Sequence, residues 1–458
     1  GNSHARAENT RVIVMNKSLQ IYVSSTLPSM GINGVDAITF NSLALSVIRH
    51  ATRGKAFFKY RELPEFVEKI KFSNGILGAL SQFVSQQVRD VDAAISREFL
   101  TNEKLFKLWK ESHSKAIQPR LKDFKHDVSE SNLPIKEKQV ALDYVQNLLT
   151  DQEDYVGDLY KLLSDAKLLG SFLPADPKLG EHLSYLSRMV DKNRRKNHLD
   201  YYDMSLILRL IQLKHGGLPN KHGGISEFDH LVVDEAQDFG PVEFSIMMDS
   251  VGDKRDLTIV GDVSQKILFS RKFIGWENIL DNLEIKKDTL IQLEVSFRCT
   301  VPIMNLARKV EGRKDPVSFG RPGSPVIWHR AVDQNDFLET LADWVNGLME
   351  KDPYKLIALI CRYPKQAMEL KDELERMISC EVRIGHRDQF SFEPGVIISN
   401  IHQIKGLEFD AVALINPSEE FYPSKNIESR NMIYVGITRA QEDLLVIGNN
   451  SFSKVLLS

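Results

Sequence analysis

The sequence predicts an α/β protein with two parallel sheets and a helical insertion in the first. Three observations predict it. Short apolar runs end abruptly in polar residues at Arg11–Met15, Val35–Ser42, His230–Asp238 and Leu257–Asp262. A long middle stretch, from about Ser46 to Leu213, carries apolar residues at helical spacing and few strand-like runs. Past Thr300, further apolar runs alternate with helical stretches, the pattern of a parallel sheet. The expected division is residues 1–45 with 225–299 for the first sheet domain, 46–224 for the insertion and 300–458 for the second.

Each element follows from local chemistry. Arg11-Val12-Ile13-Val14-Met15 is a central strand that stops at Asn16-Lys17, and a helix is expected from about Leu19 to Leu27. Val35-Asp36-Ala37-Ile38-Thr39-Phe40-Asn41-Ser42 is a second strand ending in small polar residues. Such hydroxyls suit a helix N-cap, and they also suit a phosphodiester backbone. Inside the insertion, Phe66 with Ile70, Ile76 with Leu80 and Phe83, and Leu105 with Leu108 and Trp109 mark helix faces. The basic run Lys192-Asn193-Arg194-Arg195-Lys196 reads as a solvated helix face or as a phosphate contact. Gly216-Gly217-Leu218-Pro219 through Gly223-Gly224 links back to the sheet. In the second unit, strands are expected at Val326–Trp328, Leu356–Cys361, Val396–Ser399, Val412–Ile415 and Leu444–Ile447.

Size and composition set limits. A chain of 458 residues exceeds one hydrophobic core, so two or three domains are expected. The net charge of −3 means that any nucleic-acid site must be a local groove. Cys299, Cys361 and Cys380 are too far apart for a disulfide framework or a metal motif, which suits a reducing cytoplasm. No apolar run approaches the roughly 18 residues of a membrane span, so no membrane partner is expected.

The chemistry gathers at strand ends. His230-Leu231-Val232-Val233-Asp234-Glu235 reads as a buried strand delivering two carboxylates to its C-terminal edge, where open α/β sheets bind ligands. A plain acidic turn would look the same. In a P-loop NTPase this is the Walker B position, with Asp234 holding Mg²⁺ and Glu235 orienting the attacking water. Gln265, Arg298, Lys405-Gly406-Leu407-Glu408 and Thr438-Arg439 add a γ-phosphate sensor and cations for transition-state charge. These groups come from both sheets, which would tie hydrolysis to domain closure.

Five stretches, in order, resemble motifs II to VI of superfamily 1 helicases of the UvrD/Rep type. They are Asp234-Glu235-Ala236-Gln237-Asp238, Val260-Gly261-Asp262-Val263-Ser264-Gln265, Ser296-Phe297-Arg298, Ile401–Asp410 and Tyr434–Ala440. The stretch at Leu27–Gly31 and the short second unit look nearest to the HelD-like branch. The resemblance implies two RecA-like domains of the P-loop NTPase fold, ATP between them and DNA, single-stranded or partly duplex, across both. It implies Asp234 as the Mg²⁺ ligand, Glu235 as catalytic base and Gln265 as the coupling residue. It further implies Phe297 against adenine, Arg298 on the γ-phosphate, Gly406 and Glu408 near the γ-phosphate and ribose, and Arg439 as arginine finger. Thr39, Phe40 and Ser42 match the motif that grips single-stranded backbone, and His402 lies in the motif that links ATP to that strand. The implied activity is ATP-driven 3′→5′ translocation or unwinding. A HelD-like ATPase that remodels RNA polymerase or another protein complex is one alternative, and a catalytically silent interaction module is the other.

The sequence also departs from the pattern. No G-x-x-x-x-G-K-[ST] loop is present, and Gly54-Lys55 has the wrong neighbours. The opening Gly1-Asn2-Ser3-His4 reads as a truncated or tag-scarred start, and the intact motifs with Glu235, Arg298 and Arg439 make omission of the phosphate loop the expectation in preference to a dead site. After Gln265, Ser270-Arg271-Lys272 replaces the family's aromatic-Arg-Gly, with Phe269 one place off. Arg298 and His402 are only about a hundred residues apart (402 − 298 = 104), too few for the large domain that processive relatives insert there.

Overall fold

The computed structural model describes residues 6–111, 115–252, 256–262, 276–277, 291, 298–313, 315, 317, 319–386, 390–449 and 451–457. The first sheet has four parallel strands in the order β2-β1-β3-β4: β1 (Thr10–Val14), β2 (Asp36–Thr39), β3 (His230–Val233) and β4 (Leu257–Ile259). β1 and β3 are central because their apolar residues pack on both faces, with Ile13, Val14, Leu231 and Val233 all inaccessible to solvent. β1 stops where Asn16 turns the chain, its Oδ1 accepting the Leu19 N–H at 2.8 Å. That cap opens helix α1 (Lys17–Ser29), and Thr39 opens helix α2 (Phe40–Ala51) in the same way.

The stretch between the halves of this sheet is helical, as expected, but it contains two cores. Helices α3 (Asn74–Glu98), α4 (Ile117–Glu130) and α5 (Ile135–Gln152) build a distal cluster that includes Val91, Trp109, Leu121 and Val145. Helices α6 (Tyr155–Ser164), α7 (Leu179–Arg195) and α8 (Asp203–His215) instead share one continuous core with Ile13, Phe40 and Val233. Nearly all of α8 is buried, and it packs against α2 and against helix α9 (Pro241–Met248). Part of the insertion is therefore the floor of the first sheet.

The second sheet has six parallel strands in the order β7-β8-β6-β9-β10-β5. They are β5 (Ile327–Arg330), β6 (Leu356–Cys361), β7 (Val382–Ile384), β8 (Gly395–Asn400), β9 (Phe409–Ile415) and β10 (Ala440–Gly448). The short edge strand β7 was not anticipated, because three residues between loops carry no periodicity. Of the Ser296-Phe297-Arg298 motif, only Arg298 lies among the described residues. One face of the sheet carries its own helices, Gln334–Lys351 and Pro364–Leu374. The other face, with helices α10 (Val301–Glu311) and α11 (Ile427–Ile437), shares a core with Val12, Val14, Leu19 and Ala37 of the first domain. The two sheets therefore meet over a joint apolar contact, and their polar strand ends border it. Among the described residues, no helix is long and apolar enough to cross a membrane.

Candidate functional site

The site begins at the carboxyl end of β3. The Asp234 N–H still donates to Ile13 O at 3.0 Å, as if the strand continued, and Ala236 N–H donates to Val260 O at 2.9 Å. Between these anchors Glu235 is forced into the left-handed region at φ 53°. For a non-glycine residue that conformation stores about 1–3 kcal/mol, paid here by the ladder on either side. The turn places two carboxylates side by side. Burial first, and then the neighbouring Glu235 charge, push the Asp234 carboxyl above its ordinary range, while Arg298 and Arg439 pull it back. Its Oδ1 accepts the Glu235 N–H at 2.8 Å.

Glu235 is held from both domains. Its Oε2 accepts from Gln237 Nε2 at 2.6 Å, and Gln237 Oε1 accepts the Asp262 N–H at 2.9 Å, linking the acid to the end of β4. From the second domain, Lys405 Nζ lies 2.5 Å from Asp238 Oδ2 and 3.5 Å from Glu235 Oε2. Lys405 and Asp238 are both buried. The next residue, Gly406, has φ 82°, and a Cβ there would come 2.7 Å from Leu19 Cδ2 on α1. Glycine takes this conformation without strain and leaves Leu19 in place.

The cations come from the ends of other elements. Arg298 Nε pairs with Glu408 Oε1 at 2.5 Å, and Glu408 Oε2 also accepts from Gln441 Nε2 at 2.7 Å. Arg439 follows α11 and is inaccessible to solvent. It donates to Leu407 O at 3.0 Å, Val435 O at 3.2 Å and Thr438 Oγ1 at 3.3 Å. Burial first, and then Arg298, push its guanidinium down, while the Glu235 charge opposes that shift. Asp234, Glu235, Arg298, Glu408 and Arg439 therefore share one electrostatic environment across the domain contact.

Four other sequence candidates sit at strand ends outside this cluster. Thr39 Oγ1 accepts the Ser42 N–H at 3.1 Å and donates to Ser42 Oγ at 2.7 Å, the geometry of a helix cap. Phe40 is buried against Phe239, with ring centroids 6.0 Å apart, so it supports the loop from within. Ser42 is exposed. His402 follows β8 and keeps solvent contact. Desolvation first, then Arg362 and Lys405, push its imidazole down to about 4. Gln265 and Phe297, with Ser270-Arg271-Lys272, lie outside the described residues. The sequence reading placed Lys405 among the cations at strand ends without giving it a partner, and it did not single out Gln237 or Asp238, although both lie in the quoted Asp234–Asp238 motif.

A divalent ion fits the donor set. Asp234 is a half-buried carboxylate raised partly by a like charge, which a cation would relieve. Among the described residues no group of three or more His, Cys, Asp or Glu converges as a cage. A single carboxylate, completed by phosphate oxygens and water, is the usual arrangement for Mg²⁺.

Residues 9–272, more than half of the chain, match the UvrD/REP helicase N-terminal domain. The chain belongs to the UvrD/REP helicase family. Residues 380–451 match the UvrD-like helicase C-terminal domain, so the family's two parts fall on the two sheets. The chain is 28% identical over 170 residues to DNA helicase II of Haemophilus influenzae, covering 34% of this chain and 22% of that protein. It is equally 28% identical over 166 residues to the ATP-dependent DNA helicase UvrD2 of Mycobacterium bovis, covering 34% of this chain and 24% of that one. The match thus spans less than a quarter of the length of either relative. Among solved structures, the C-terminal domain of a possible DNA helicase from Lactobacillus plantarum aligns at 20% identity with a TM-score of 0.29, covering 35% of this chain and 92% of that one.

Proposed function

We propose that this UvrD/REP family chain is an ATP-driven motor that moves on single-stranded or partly duplex DNA. The observation that carries the reading is the meeting of Asp234 and Glu235 from one sheet with Arg298, Lys405 and Arg439 from beside and within the other. Phosphoryl transfer is catalysed by positioning and charge stabilisation, and these are the groups it uses. Asp234 would hold Mg²⁺, which draws charge from the phosphate oxygens. Glu235 orients a water and takes its proton as oxygen attacks the γ-phosphorus. Arg298 and Arg439 neutralise the charge that builds on the transferred group and on the leaving oxygen.

The same geometry supports coupling to motion. With phosphate between the sheets, the cations of the second domain face an anion. After hydrolysis and release Lys405 faces Glu235 and Asp238 without that anion, and the preferred separation of the sheets changes. Thr39, Ser42 and His402, at strand ends of both sheets, are the residues proposed to hold the strand. By family resemblance the direction is 3′→5′.

The test is the ATPase rate with and without single-stranded DNA, for the wild type and for Glu235→Gln. Stimulation by DNA, with a fall of about 10²–10⁴-fold in the variant, is the expected result. A robust ATPase indifferent to DNA would replace the motor with a HelD-like remodelling ATPase. No ATPase in either protein would leave a silent interaction module.

A further inference from the structure

Away from the sheet interface, the insertion carries an aromatic and basic surface that the motor reading does not use. Arg188, Lys192 and Arg195 lie at positions i, i+4 and i+7 of α7, all exposed in one stripe, and Lys196 follows as the exposed C-cap. Asn197, in the left-handed region at φ 48°, then turns the chain. The next residues form a short parallel ribbon in which Phe58 pairs with Leu199 and Lys59 with Asp200. That register sets residues 57–60 beside 198–201. Phe57 is 70% exposed, Tyr60 75% and Tyr201 44%. Arg61 joins the ribbon to the helix end, with one guanidinium nitrogen 2.7 Å from His198 Nδ1 and another 3.4 Å from Asn193 Oδ1. Burial first, and then Arg61, Lys59 and Lys196, push the His198 imidazole down, so three cations crowd one ring.

A helix C-terminus attracts lysine and arginine through its dipole, and that accounts for the cations of the last turn. It does not account for Lys59 and Arg61, which belong to another segment, nor for three exposed aromatic rings. Among the described residues, Lys59, Arg188, Lys192, Arg195 and Lys196 have no carboxylate within ion-pair distance, although Asp191 and Glu62 are nearby in sequence. On a chain of net charge −3 this is a concentrated positive patch. Cations interleaved with solvent-facing rings match a single strand, which offers phosphates and unstacked bases together.

We propose that the end of α7 and the adjoining ribbon form a second contact for single-stranded nucleic acid, with the cations on phosphates and Phe57, Tyr60 and Tyr201 stacking on bases. The inference rests on the motor reading only for the choice of nucleic acid as the polyanion. It needs no nucleotide.

The test is fluorescence-anisotropy titration of a labelled oligothymidylate, a blunt DNA duplex and phosphatidylserine vesicles with the full chain, at several salt concentrations and without ATP. The variants are Lys192→Ala/Arg195→Ala/Lys196→Ala and Phe57→Ala/Tyr60→Ala. All five side chains are exposed, and thermal melts check that each variant folds. The charge variant is expected to weaken oligothymidylate binding about tenfold or more and to reduce the slope of log affinity on log salt by about 2. The ring variant is expected to lose about fivefold or more with its salt slope unchanged. Oligothymidylate affinities within twofold of wild type for both variants would overturn the proposal. A charge-variant loss confined to vesicles, or a loss on duplex with no effect of the rings on the single strand, would overturn it too. The ATPase readout separates the two readings. DNA-stimulated ATPase with unaltered binding in the variants removes the patch and keeps the motor. Lost binding in a chain without ATPase keeps the patch and removes the motor.

Discussion

Two regions of this chain bury charge, and they treat it in opposite ways. In the floor of the insertion, Lys71 lies between Asp200 at 2.7 Å and Asp203 at 2.6 Å, with all three side chains at most 5% exposed. Nearby, Lys214 and Asp158 pair with no solvent exposure, and Lys214 also donates to Gln152 O at 3.0 Å. Each cation there is closed in by its partners. At the sheet interface, Asp234 stands beside a second carboxylate, and the Glu235 amide is its described hydrogen-bond partner. Glu235 is held in a strained backbone conformation. The buried charges of the floor are spent on one another. At the interface Lys405 is likewise paired with Asp238, and Arg298 with Glu408; Asp234 is the acid that stands beside a like charge, the arrangement proposed above to receive a ligand.

The contrast breaks first, and most strongly, at Arg439. Arg439→Lys keeps the charge but loses the planar fork that reaches Leu407 O, Val435 O and Thr438 Oγ1. If this is the cation of the site, ATPase activity falls by about 10³-fold or more. A melting temperature close to wild type must accompany that loss. An equal loss of stability would make Arg439 another structural charge.

Lys71→Met probes the other side. Asp200 and Asp203 would then face each other without a buried counter-charge, at a cost of about 3–5 kcal/mol of stability in denaturant unfolding. ATPase activity per folded molecule should stay unchanged. A near-neutral effect on unfolding would show that the two carboxylates take up protons or water readily, and the floor would no longer be the closed region.

His215 carries a pH signature of the floor. Its Nε2 lies 2.7 Å from the Tyr155 hydroxyl, and burial first, then Lys122 and Lys214, push it down to about 4. The folded value lies below the ordinary histidine value. Its contribution is therefore complete above about pH 6.5 and is lost as pH falls through about 4. The loss amounts to at most about 3 kcal/mol. Stability measured between pH 7 and pH 4.5 should decline less in His215→Gln than in the wild type. Parallel curves would remove His215 from the account.

The smallest effect is expected at Gly406. Gly406→Ala places a Cβ at φ 82° and against Leu19, for about 1–2 kcal/mol at the domain contact. The signature is a shift in ATP dependence greater than the shift in melting temperature. The reverse ratio would mean that the contact only stabilises the fold.

Much of the fold was legible because its signals are local. β1, β3, β6 and β9 carry the apolar runs Val12–Val14, Leu231–Val233, Leu356–Cys361 and Ala411–Ile415, and Asn16 and Thr39 are cap residues standing where caps are needed. The edge strand β7 and the double core of the insertion were not legible, since neither has a periodicity of its own. The candidate site divides along the same line. The acids, arginines and Lys-Gly pair stand out at strand ends, whereas the burial of Phe40 against Phe239 depends on packing that no spacing encodes.

The sequence by itself determined the two sheets, their order and the residue types at their polar ends, because backbone pairing and apolar periodicity act over a few neighbouring residues. The tertiary structure alone decided which charges meet. Lys405 and Asp238 are 167 positions apart and Arg298 and Glu408 are 110 apart (408 − 298 = 110), yet each pair lies at 2.5 Å. A Coulomb interaction depends on separation in space and on the dielectric around it, and both are set only when the two sheets close on their shared core.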